Sequence, residues 1–70
     1  MAEMKYRVYD RAAKTEYGTF AASSGMAAIA AALRKKGFDA MAQGDTLHTD
    51  APEKVREFLV ADELPPKDAA

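Results

Sequence analysis

This 70-residue chain has no cysteine and no tryptophan, and it has a single histidine. The first absence removes disulfides and thiolate metal sites, which suits a reducing compartment. The lone His48 leaves serine nucleophiles without a choice of base, and a nucleophile needs one within hydrogen-bond reach. No apolar run is long enough to cross a bilayer as a helix. The opening MAEMKYRVYD lacks the charged-then-apolar order of a secretory leader, so a cytoplasmic location is expected. Motifs are missing too. There is no GxxxxGK[ST] phosphate loop, no GxGxxG and no HExxH. Ser23-Ser24-Gly25 is not a nucleophile elbow, which requires glycine on both sides of the serine. The sequence therefore predicts no enzyme, no cofactor and no bound metal.

One cluster stands against that conclusion. His48 and Asp50, two apart, share a face if they lie on a strand, and Asp45 is close in sequence. Together they suggest a partial metal site or an acid–base pair. Asp50 is better employed as a helix cap and Asp45 as a turn residue, so the cluster is assigned no chemistry.

What is present is mostly alanine. Apolar residues make up 49% of the chain, but sixteen of them are alanine, so the core available to the fold is thin. A domain of this size nets roughly 3–5 kcal/mol from one core unless something else helps. Self-association is one source of help. Charge is also uneven: residues 1–37 carry seven Lys/Arg and three acids, whereas residues 38–70 carry three and eight. Such asymmetry points to a basic interaction face or to complementary pairing, unless the fold mixes the halves.

KYRVYD alternates, with Tyr6 and Val8 on one face and Lys5, Arg7 and Tyr9 on the other, as in a strand with one buried side. Residues 11–15 connect it to a return strand, EYGTFA, placing Tyr17 and Thr19 on one face and Gly18 and Phe20 on the other. Ser23 or Ser24 caps a helix whose buried stripe is Met26, Ile29, Ala30 and Leu33. That helix ends at Gly37, with Phe38 folding back on Leu33 in a Schellman ending. Arg34, Lys35 and Lys36 lie over the negative end of the helix dipole, which explains them without a ligand. FDAMAQ-GD-TLHT reads as a second hairpin turning at Gly44-Asp45. A second helix is expected to begin at Asp50, with Glu53 completing a capping box, and to run to Leu64 with Val55, Phe58 and Leu59 as its stripe. The prediction is a small single α+β domain over residues 4–64, in ββαββα order, with two helices packed on one face of an antiparallel sheet. Residues 65–70 are expected to be a flexible tail.

Two stretches resemble known families locally. YGTFAASSGMAAIAAAL resembles the strand-to-helix junction of AP2-like DNA-binding domains, where a G-T-F strand end leads into an alanine-rich helix. That resemblance implies a sheet face reading the major groove through Lys5, Arg7, Tyr9, Tyr17 and Thr19, although two strands precede the helix here and three do so in that family. AAIAAALRKKGFDAMAQGDTLHT resembles the helix-then-hairpin part of SPOR-type glycan-binding repeats, which continue with a further strand and sit in envelope proteins behind a membrane anchor. Neither family is assigned.

Two functions from different classes follow. The preferred one is a protein-binding module that acts by covering a surface: an adaptor, a regulator or a stoichiometric inhibitor. Small single-domain proteins of this kind are common in phages and mobile elements, anti-CRISPR-type inhibitors among them. The alternative is nucleic-acid binding by basic and aromatic side chains of the first hairpin, opposed by a pI near 5.7. Either partner would be met by Lys5, Arg7, Tyr9, Arg11, Lys14 and Tyr17. A homodimer seam or a further partner surface is expected around Ala28, Ala31 and Ala32, because small side chains allow close approach and an exposed apolar patch marks an interaction site. No membrane partner is expected.

Overall fold

A computed structural model describes residues 4–64; the tail expected at 65–70 lies outside the described residues. The elements follow one another as β1 (Met4–Asp10), β2 (Thr15–Ala22), α1 (Gly25–Lys35), β3 (Ala40–Gln43), β4 (Thr46–Thr49), α2 (Glu53–Arg56) and β5 (Leu59–Leu64). They form an α+β domain with two antiparallel sheets, one ordered β2-β1-β5 and the other β3-β4.

Strand β1 alternates as its sequence predicts. Val8 is fully buried, and Lys5 and Arg7 are exposed on the opposite face. Its last residue, Asp10, is buried, and its carboxylate accepts the N–H groups of Ala12 and Ala13, both at 2.8 Å. This side-chain-closed turn sets the connection to β2. The β1–β2 register then slips. Val8 pairs with Gly18 and Tyr9 with Glu16, so Tyr17 is an extra residue in a β-bulge. Gly18 sits at φ +118°, a value that a residue with a side chain rarely adopts.

The helix is capped by Ser24, whose hydroxyl accepts the Ala27 N–H at 3.1 Å. At its other end Gly37 has φ +105°. There the Phe38 N–H reaches the Leu33 carbonyl at 3.1 Å and the Gly37 N–H reaches that of Arg34 at 3.0 Å. These two bonds are the expected Schellman ending. The buried face is broader than the predicted stripe: Ala28, Ala30, Ala32 and Leu33 are buried, while Met26 and Ile29 are half-covered. The helix touches all five strands. On one side Ala28 and Ala32 pack with Val8 and Ala22 of the three-stranded sheet. On the other, Ala30 and Leu33 pack with Ala40, Ala51 and Leu59. A helix held between two walls has room for little beyond methyl groups on the faces that meet them, which accounts for Ala28, Ala30 and Ala32.

The second hairpin turns at Gly44-Asp45, and its neck is tied by side chains. Asp50 accepts the Asp39 N–H at 2.9 Å, and the Thr49 hydroxyl donates to the Asp39 carbonyl at 2.6 Å. This corrects the role expected for Asp50. It closes the hairpin neck, and α2 starts at Glu53 with no side-chain cap.

The largest departure lies at the end of the chain. The expected helix through Leu64 stops after one turn, and residues 59–64 form β5, paired with β1 from Lys5↔Leu64 to Asp10↔Leu59. The helical spacing of Val55, Phe58 and Leu59 ends there. From Leu59 onward a period of two takes over, burying Leu59 and packing Ala61 against the Val8 cluster. The second edge of β1 offers unpaired backbone groups along its whole length, and pairing them outweighs the modest helix preference of a short segment.

Candidate protein-binding surface on the first hairpin

Because α1 covers one face of the three-stranded sheet, β1 turns Lys5, Arg7 and Tyr9 to the other. Register places Arg7 between Thr19 of β2 and Asp62 of β5, and Tyr9 between Glu16 and Val60. The Arg7 guanidinium grips Glu16 through Nε–Oε2 at 2.9 Å and Nη2–Oε1 at 2.8 Å, and lies 4.7 Å from the centre of the Tyr9 ring. These contacts are polar, exposed and mutually orienting. Donation from Arg7 holds the Glu16 carboxyl below its ordinary value. The neighbouring Asp62 carboxylate, and then burial, push the Tyr9 phenol up. Two cations, Lys5 and Arg7, thus share the face with two anions, Glu16 and Asp62. The fold has mixed the basic and acidic halves of the sequence at this surface.

The other residues expected at the partner site go elsewhere. Arg11 and Lys14 lie in the exposed connection, with Arg11 over the Phe58 ring at 5.8 Å and Lys14 at φ +56°. The bulge rotates Tyr17 off the Lys5–Arg7–Tyr9 face and onto the helix side, where it packs against both core clusters. Burial, and then the charge of Asp10, raises the Tyr17 phenol. Ala28 and Ala32 have no exposed surface and Ala31 is half-covered, so those two alanines belong to the interior and offer no seam to another chain. His48 is exposed on β4 opposite Met41, Asp45 is in the turn, and the Asp50 carboxylate is engaged by Asp39.

A second feature has no counterpart among the sequence expectations. The last turn of α1 reaches across β2, with Lys35 Nζ 5.7 Å from the Phe20 ring centre and Lys36 Nζ 4.9 Å from that of Tyr17. Glu16, Tyr17, Ala32, Lys35 and Lys36 line a cleft of about 300 Å³ between helix and strand. The adjacent strand, β2, is an edge of its sheet. The signal was present in the basic triplet, but finding the cleft required the bulge that brings Tyr17 beneath it.

No family model, curated protein or solved structure matches this chain. Among the described residues, no helix is long and apolar enough to cross a membrane.

Proposed function

We propose that this protein is a non-enzymatic protein-binding module that works by covering part of a partner's surface through its first hairpin. One observation carries the reading. The exposed sheet face joins an arginine stacked on a tyrosine and paired with Glu16, charges of both signs, and the half-buried apolar side chains of Val60 and Leu64. Protein interfaces are enriched in aromatic residues and arginine, and complementary charge at their rims selects partners. A nucleic-acid surface needs a net positive footprint, and here Glu16 occupies the guanidinium while Asp62 stands across from it.

The test places a photo-cross-linking residue at Thr19, in the middle of this face, and at Gln43 on the second hairpin as a control. In extracts of the native cells, a discrete protein adduct from Thr19 and none from Gln43 is expected. A parallel titration with mixed-sequence DNA and RNA at low salt should show no tight binding. Submicromolar, steeply salt-dependent binding that Lys5→Ala/Arg7→Ala abolishes would replace the protein-binding reading with the nucleic-acid one.

A further inference from the structure

The free side of β2 poses a question that the exposed face does not answer. An edge strand presents unpaired N–H and C=O groups, and proteins usually guard such edges with proline or with charged side chains carried on the strand. The other edge, β5, carries Asp62 and Glu63, both exposed. Strand β2 has no proline, and Glu16, its one charged residue, is gripped by Arg7. From Gly18 to Ala22 it reads GTFAA, small except for Phe20. Among the described residues, no hydrogen bond reaches the backbone of that stretch from outside its own sheet.

Beside this edge, on the helix side, stand two ammonium groups. Lys35 and Lys36 lean over Phe20 and Tyr17, and the cleft they line opens next to the strand. Side chains of a strand added to β2 would alternate between two environments. Those turned toward the helix would meet Lys35, Lys36 and the Tyr17 ring. Those turned toward the open face would pass Thr19 and Ala21, which leave room for β-branched groups. A carboxylate suits the first environment. In the second it would approach Glu16.

We propose that the β2 edge receives an extended segment of a partner protein as a fourth strand, with acidic side chains at alternate positions seated against Lys35 and Lys36. Main-chain pairing supplies the affinity of such additions and alternate side chains their specificity. The inference rests on the protein-binding reading and names the occupant and its mode of attachment.

The probes are a capped eight-residue peptide alternating glutamate and valine, its lysine–valine counterpart, and the acidic peptide with alternate backbone nitrogens methylated. Each is titrated into the isotope-labelled protein and followed by amide NMR. The acidic peptide should shift the signals of Gly18 to Ala22 together with those of Lys35 and Lys36. The lysine and methylated peptides should bind at least tenfold more weakly. Lys35→Gln/Lys36→Gln, which keeps a helix-compatible side chain at both exposed positions, should weaken the acidic peptide by a similar factor while the unbound spectrum retains its dispersion. Equal response to both charge types, or no response to any peptide, would overturn strand addition. Shifts confined to Lys5, Arg7, Tyr9 and Asp62 would overturn it too and leave the protein-binding reading standing. Concentration-dependent self-association of the parent, lost in Lys35→Gln/Lys36→Gln, would overturn the foreign segment in favour of a second copy of the chain.

Discussion

Strand β1 has two neighbours that reach it by different routes. On one side lies β2, joined through the four residues Arg11–Lys14 and positioned by the Asp10 turn. On the other lies β5, which arrives after a helix, a hairpin and a single helical turn. The first pairing is local, and its closure involves little chain entropy; the second closes a loop of almost the whole domain. Yet both bury the same residue, since Val8 sits between Gly18 and Ala61. The difference teaches which half of the fold is self-sufficient. A two-stranded hairpin is marginal in water, and β5 is what turns this one into a sheet with a face worth burying.

Removing the chain from Leu59 onward should break that arrangement most severely. The truncation strips six paired residues from β1 and takes Leu59 and Ala61 out of the two core clusters. A domain of this size holds roughly 3–5 kcal/mol in reserve, less than such a loss. The expected product has no cooperative thermal transition and poor amide dispersion. A truncated chain that still melts cooperatively would show that the first hairpin and α1 form a complete unit to which β5 is appended.

What the sequence made legible follows the same division. Features written within a few residues were readable: the β1 alternation, a serine cap at Ser23 or Ser24, the Gly37–Phe38 ending and the Gly44-Asp45 turn. Features that depend on what lies across the fold were not. LVADEL offers a helix and a strand about equally, and the unpaired edge of β1, some fifty residues earlier, decides between them. The Tyr17 bulge was hidden for a related reason. Strict alternation puts Tyr17 with Lys5 and Arg7, and a single inserted residue reverses its side. The helix alanines read as a seam if α1 has one wall to pack on, and the fold supplies two.

That second wall suggests a sharper and smaller test. Ala28 has no exposed surface and faces Val8 and Ala22, whereas Ala31, one turn along, is half-covered. Ala28→Leu should cost about 1–3 kcal/mol in a chemical denaturation series, because a filled interface must shift to admit the added carbons. Ala31→Leu should stay near the parent. Equal tolerance at both positions would mean that α1 does not lie tightly against the three-stranded sheet. Sedimentation of the same variants bears on self-association. Any dimer must persist in folded Ala28→Leu protein, since that methyl group faces inward.

The smallest expected effect separates what β2 and β5 each contribute to the exposed face of β1. Strand β2 brings Glu16, held below its ordinary carboxyl value of 4.5 chiefly by the hydrogen bonds from Arg7. A carboxylate with a depressed folded-state pKa favours the folded state fully at neutral pH, and that contribution fades as pH falls through the ordinary value toward the depressed one. Strand β5 brings Asp62, which raises the Tyr9 phenol above 10.0. A raised phenol acts in the opposite range: its contribution is complete below pH 10 and is lost as pH climbs through the folded-state value. Glu16→Gln should therefore flatten the acid side of a melting-temperature profile and leave the alkaline side alone. Asp62→Asn should bring the Tyr9 titration, followed through its own ring signals by NMR, back toward the value of an ordinary tyrosine. Glu16 is exposed and Tyr9 only half-buried, so both changes should be small and should shrink further in added salt. If Glu16→Gln altered the alkaline flank as much as the acid one, the two sides of β1 would be coupled through Arg7 and Tyr9, and the neighbours could no longer be treated as separate contributors.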